Sequence, residues 1–170
     1  HTATLLDDGR IVVTGGSRGG IGTDAPAFDT AETYDPETGE WTAIAVMAVA
    51  HTRHTATLLE DGRVLVTGGR GQVTDTELFD PATGTWSSAG SLSESRANHT
   101  ATLLADGRVL VSGGIGNVAT TDIFDPATDG WATGPTMKEP RYDHTATRLS
   151  DDRVLIVAGQ TTDENLDREL

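Results

Sequence analysis

HTATLLEDGRVLVTGG, residues 54–69, is one phrase that the chain writes four times. It reads HTATLLDDGRIVVTGG from His1, HTATLLADGRVLVSGG from His99 and HTATRLSDDRVLIVAG from His144. A second phrase follows the first three: AETYDPETGEW ending at Trp41, TELFDPATGTW at Trp86 and TDIFDPATDGW at Trp131. Successive tryptophans lie 45 residues apart, and successive repeat histidines 53, 45 and 45. A fixed period of this size signals a repeat architecture. The parts that recur should then build the fold, and function should sit where the copies differ.

Within one copy, His54–Leu59 alternates β-branched and apolar residues with period two and reads as a strand. Glu60-Asp61-Gly62 forms a tight turn, since glycine accepts the positive φ that such hairpins need. Arg63–Thr67 returns antiparallel and stops at Gly68-Gly69. Thr76–Phe79 is a third strand, Asp80-Pro81-Ala82-Thr83-Gly84 a second turn, and a fourth strand begins near Thr85-Trp86. Runs this short and this β-branched, bounded by glycines, lack the 3.6-residue period of a helix. One repeat is therefore a four-stranded antiparallel meander, the size of a propeller blade.

The chain has 170 residues, no cysteine and a net charge of -14. Thiol and disulfide chemistry are excluded over this span, and so large a negative charge disfavours nucleic acid or an anionic membrane as partner. Much of the acidity has a local cause. Asp7, Asp8, Asp61, Asp106, Asp151 and Asp152 belong to hairpin turns, while Asp35, Asp80 and Asp125 precede turn prolines. The longest apolar run, Ala43–Ala50, is too short to span a bilayer. The chain opens inside a repeat at His1, which reads as a processed, truncated or partial product.

These elements resemble the Kelch-repeat family, in the form found in many bacterial proteins and in galactose-oxidase-like propellers. The matching features are Gly15-Gly16, Gly68-Gly69 and Gly113-Gly114, the Tyr/Phe-Asp-Pro turn, the Trp after it, and Arg96 and Arg141 three residues before a repeat His. The resemblance implies an all-β fold of Kelch-type propeller blades, about three and a half of them in an incomplete ring. The expected blades are about 1–53, 54–98 and 99–143, with a half-blade over 144–160 and a polar acidic tail over 161–170. The fourth copy departs from the pattern, with Ala158-Gly159 for Gly-Gly and Asp152 for the turn glycine. Since such rings typically close with about six or seven blades, a piece of a longer chain is expected, with two copies pairing into a homo-oligomeric ring as the alternative. The bacterial type of repeat points to an extracellular or periplasmic setting, with the cytoplasm as the alternative.

Recurrence sorts the candidate residues. His54, His99 and His144 occupy one point in successive blades, so a ring would spread them apart rather than gather them at metal-ligand distances. They are assigned to structural hydrogen bonding, and no metal is expected. Gly68, Gly69, Gly113 and Gly114 are assigned to close backbone approach, and Trp41, Trp86 and Trp131 to packing between blades.

A meander places the first-to-second and third-to-fourth turns on one rim and the second-to-third and blade-to-blade connections on the other. The second rim varies, and loops on a rigid scaffold are where binding resides. Candidate ligand contacts there are Arg53, Asn98 and Asp143 before the repeat His, then Arg96, Arg141 and Tyr142, and finally Arg18 and Arg70. Ser17–Asp29 carries eight extra residues and reads as a tolerated glycine-rich insertion, with a ligand-covering loop as the alternative. No nucleophile triad or paired carboxylates stand out, so no catalytic residue and no cofactor is assigned. The copper radical site of galactose oxidase needs a cysteine-linked tyrosine, which a chain without cysteine does not supply. The expected function is a non-catalytic module that binds a carbohydrate or protein ligand on the variable rim. A propeller enzyme (oxidase or lyase) with catalytic groups elsewhere, and a self-assembling structural repeat, are the alternatives.

Overall fold

A computed structural model describes residues 1–18 and 25–161. Most of the tail expected over 161–170, and the middle of the Ser17–Asp29 insertion, lie outside the described residues. Among those residues there are fourteen strands and no helix. β1 (Thr2–Leu5), β2 (Ile11–Thr14), β3 (Ala31–Asp35) and β4 (Glu40–Ala43) form the first sheet. The second holds β5 (Thr55–Leu58), β6 (Val64–Thr67), β7 (Asp75–Asp80) and β8 (Thr85–Ser91). The third holds β9 (Thr100–Leu103), β10 (Val109–Ser112), β11 (Thr121–Asp125) and β12 (Gly130–Thr133), and β13 (Thr145–Arg148) pairs with β14 (Val154–Val157). Each four-stranded sheet runs in chain order with antiparallel neighbours, the meander that the repeat predicts.

Burial along the second strand of each blade shows how the sheets stack. In β6 every residue is buried, whereas β2 and β14 alternate. A strand covered on both faces reads as a continuous apolar run, and one covered on a single face alternates. Val64 and Phe79, cross-strand partners, pack back onto Leu6 and Val12 of the first blade. Leu65 and Leu78, the next pair along, pack forward onto Val109, Val111 and Phe124 of the third. Burying each such side chain stabilises by roughly 1.5–3 kcal/mol, so the core lies between blades rather than within one. Among the described residues, Leu5 and Trp41 of the first blade and Leu155 and Val157 of the last hairpin are exposed.

The turns use their acids locally. Asp61 accepts the Arg63 N–H at 3.0 Å and pairs with its guanidinium at 2.7 Å, and Asp8–Arg10, Asp106–Arg108 and Asp151–Arg153 repeat the pair. Asp80 and Asp125 accept the N–H two residues on, at 2.8 and 2.9 Å, fixing the Asp-Pro turns. Where the fourth copy lacks glycine, Asp152 and Ala158 still take φ of 65° and 60°. That left-handed region is unfavourable for a residue with a Cβ.

Candidate functional site

The two rims separate as the meander requires. The hairpin rim carries a cleft of about 420 Å³ lined by Asp7, Asp8, Arg10, Asp61, Asp80 and Pro81. It is the roomier of the two, but Arg10 is committed to Asp8 and to the Pro81 carbonyl, and its turns are nearly the same in every repeat. The opposite rim carries a cleft of about 300 Å³ between the second and third blades, and this one is lined by residues that differ between copies. Arg53, Arg70, Gln72, Ser95 and Ile115 line it together with Gly69, Gly71, Ala97 and part of the otherwise buried Arg96.

The linkers that enter each blade build this rim. Arg53, Asn98 and Asp143 have φ of 56°, 55° and 51°. Such values are uncommon outside glycine, least so for Asn and Asp. Here the conformation is held by a ladder: the Asn98 N–H donates to the Arg53 carbonyl at 3.1 Å, and the Asp143 N–H to the Asn98 carbonyl at 3.0 Å. The Asn98 side-chain amide also donates to the Asp143 carboxylate at 2.6 Å. Three equivalent residues with different side chains thus follow one another along a rigid backbone rail. Gln72 and Asn117, equivalent points of the neighbouring loops, also take left-handed φ, of 63° and 65°.

The other candidates are placed differently. Arg96 is fully buried. Its guanidinium donates to Asp122 at 2.7 and 3.1 Å, to the Gly113 and Thr120 carbonyls at 3.1 and 2.8 Å, and to the Thr120 hydroxyl at 2.9 Å. Its donors are spent inside the protein, and we leave Arg96 out of the ligand-contact set for that reason. Arg141, its counterpart one blade on, donates to the Ala158 carbonyl at 2.7 Å and is only half-buried. The Tyr142 hydroxyl donates to the Gln160 side chain at 3.0 Å, extending the backbone bridge between these two residues. Arg18 stacks over Phe28 at 5.9 Å, on the first blade. Arg53, Arg70 and part of Arg96 therefore line one cleft, Asn98 and Asp143 pair with each other, and Arg18, Arg141 and Tyr142 make their contacts elsewhere. Gln72, Ser95 and Ile115 join the set, and the signal for them is that they fall in connections whose copies differ.

The histidines fasten blade to blade. His54 Nε2 lies 3.0 and 3.1 Å from the hydroxyls of Thr2 and Thr14, and His99 Nε2 lies 2.9 and 3.1 Å from those of Thr55 and Thr67. His144 repeats the arrangement with Thr100 and Ser112. Burial pushes the imidazoles of His54 and His99 down to about 3, reinforced for His54 by nearby His51 and for His99 by Arg96. Neutral rings suit these sites. Among the described residues no group of three or more His, Cys, Asp or Glu side chains could hold a metal.

Glu77 and Asp122 are sites that residue patterning alone misses. Glu77 accepts the N–H groups of Ala48 and Val49 at 2.8 and 3.0 Å and faces His51 Nε2 at 3.4 Å. Burial opposes its ionisation, but these hydrogen bonds outweigh that and hold its carboxyl below the usual range. Asp122 accepts the Ser93 N–H and hydroxyl and the Arg96 guanidinium in the equivalent place one blade on. The acid of each third strand thus clamps the linker arriving from the blade before it.

Stacked four-stranded meanders fastened in this way define an open run of β-propeller blades. Residues 1–47 match the Kelch motif. No curated protein sequence matches it. Among solved structures, YjhT superposes with a TM-score of 0.75 at 17% identity, over 92% of this chain and 58% of its own. A fungal alcohol oxidase of the AA5 family, in complex with copper, superposes with a TM-score of 0.61 at 22% identity, over 76% of this chain and 29% of its own. At such identities the likeness is one of fold. The chain spans under two-thirds of either structure's length.

Proposed function

We propose that this run of Kelch blades is a non-catalytic binding module that holds a polar ligand, a carbohydrate or a loop of a partner protein, on its variable rim. The observation that carries the reading is the cleft between the second and third blades, where Arg53, Gln72 and Ser95 supply polar groups above an apolar wall at Ile115. Its volume of about 300 Å³ lies at the small end of ligand sites and suits one sugar ring or one side chain. The hydrogen-bonded, left-handed backbone at Arg53 holds its main chain in place before a ligand arrives, which lowers the entropy cost of binding.

The test is a panel of immobilised neutral and acidic oligosaccharides and of carboxylate-bearing peptides. Arg53→Ala and Gln72→Ala should each weaken a retained probe about tenfold, the loss of one good polar contact, with an unchanged unfolding midpoint. Retention indifferent to both substitutions would refute the assignment.

A further inference from the structure

Four peptide bonds of the chain join Asp to Gly: 8–9, 61–62, 106–107 and 129–130. Such a bond is open to isomerisation, because glycine has no Cβ to shield its own amide nitrogen. The nitrogen attacks the Asp side-chain carbon Cγ. A C–N bond forms, the carboxyl C–OH bond breaks, and the hydroxyl leaves with the amide proton as water. Water then opens the succinimide ring. Attack at the main-chain carbonyl routes the backbone through the side chain, giving isoaspartate with one extra backbone carbon. Because hydroxyl is the leaving group, a protonated carboxyl beside an unengaged amide reacts fastest. A carboxylate held by donors reacts slowly.

Three hairpin turns are built on this pairing. Gly9, Gly62 and Gly107 take φ of 88°, 84° and 83°, which a residue with a Cβ adopts only at a cost. In each turn both reacting groups are engaged. The Gly62 N–H donates to the Leu59 carbonyl at 3.1 Å, and those of Gly9 and Gly107 to Leu6 and Leu104 at 3.0 and 3.2 Å. One Asp61 oxygen accepts the Arg63 N–H at 3.0 Å and the other accepts its Nε–H at 2.8 Å. Arg10 and Arg108 hold Asp8 and Asp106 in the same way. Burial opposes ionisation of Asp61, yet the Arg63 hydrogen bonds outweigh it and hold its carboxyl below the usual range.

The fourth bond has no arginine of its own, since Trp131 stands two residues after Asp129. Asp129 occupies the place of Gly39 and Gly84 in the other blades and takes φ of 49°. Its carboxylate reaches back to the second blade, where Arg63 Nη1 lies 3.1 Å from one oxygen and Nη2 2.9 Å from the other. The same Nη2 lies 2.7 Å from Asp61. A planar fork of donors suits this double hold. One guanidinium thus covers two Asp-Gly bonds on neighbouring blades.

We propose that Asp61-Gly62 and Asp129-Gly130 are sites of isoaspartate formation that Arg63 keeps closed. Isomerisation would lengthen the turn between β5 and β6, or that between β11 and β12, by one backbone atom. Arg63→Gln is incubated for weeks at mildly acidic pH and mapped by electron-transfer fragmentation, which separates isoaspartate from aspartate. Isoaspartate should accumulate at Asp61 and Asp129 about three- to fivefold faster than in the parent protein, the population change from losing an exposed ion pair. Asp8 and Asp106 should be unchanged, which reports an intact fold. Arg108→Gln should speed Asp106 alone, by a similar factor. Unaltered rates in Arg63→Gln, or a rise at Asp61 without one at Asp129, overturn the proposal. An equal rise at all four bonds overturns it in favour of general unfolding.

Discussion

Replacing Arg96 with Met separates a structural residue from a ligand contact. The substitution keeps an unbranched stem in a fully buried site and removes the guanidinium. That group makes five hydrogen bonds of 3.1 Å or less, two of them to the buried Asp122. Removing one member of a buried ion pair costs about 3–5 kcal/mol, because the other is left charged and unpaired. Asp122 keeps only the Ser93 N–H and hydroxyl, at 3.3 and 3.0 Å. A loss at the upper end of that range is therefore expected. Urea unfolding followed by tryptophan emission measures it. Arg96→Met combined with Asp122→Leu should recover part of the loss, since an apolar pair of similar volume can replace a buried ion pair at little cost. If Arg96→Met cost under about 1 kcal/mol, within the range of ordinary surface substitutions and mild core changes, the clamp would not be what joins the second and third blades.

Other consequences can be measured alongside it. His54 and His99 are held near 3 when folded against about 6.5 when unfolded, so the unfolded chain takes up protons first as pH falls. Stability should be full above pH 6.5 and decline towards pH 3 by up to about 1.4 kcal/mol per pH unit for each histidine. A midpoint flat from pH 7 to 4.5 would contradict the buried neutral rings, and His99→Gln should flatten the slope. Gly68→Ala places a methyl against the Arg96 carbonyl and the His99 ring at φ +66°, whereas Gly84→Ala meets nothing within 4 Å at φ +70°. The second should cost about 1 kcal/mol, the left-handed penalty alone, and the first clearly more in the same urea assay. Ala158→Gly relieves a residue at φ 60° and should slow hydrogen exchange in β13 and β14; unchanged exchange would show that the departure from Gly-Gly carries no strain.

The fold was legible because the residues that build it recur. Asp61-Gly62, Asp80-Pro81 and Trp86 each act through local geometry or a neighbouring blade, and the same need returns every 45 residues. The clamp was hidden. Glu77 sits in Thr-Glu-Leu-Phe, where an acid between strand residues looks like a solvent-facing position, and only the linker of the preceding blade buries it. The recurrence of an acid at 32, 77 and 122 with His or Arg at 51, 96 and 141 was the available signal. Arg96 was assigned to the rim because it lies in a variable linker. Its length lets it turn inward to Asp122, whereas Arg53 on the same rim stays at the cleft.

The binding assignment is tested most directly by comparing the two rims on one probe panel. Arg53→Ala and Asp61→Ala both remove an exposed or half-buried polar group from a cleft, one on the variable rim and one on the hairpin rim. The account predicts that the oligosaccharides or peptides retained by the protein are released about tenfold more readily by Arg53→Ala and are held unchanged by Asp61→Ala. Equal loss from both, or loss only from Asp61→Ala, would contradict it.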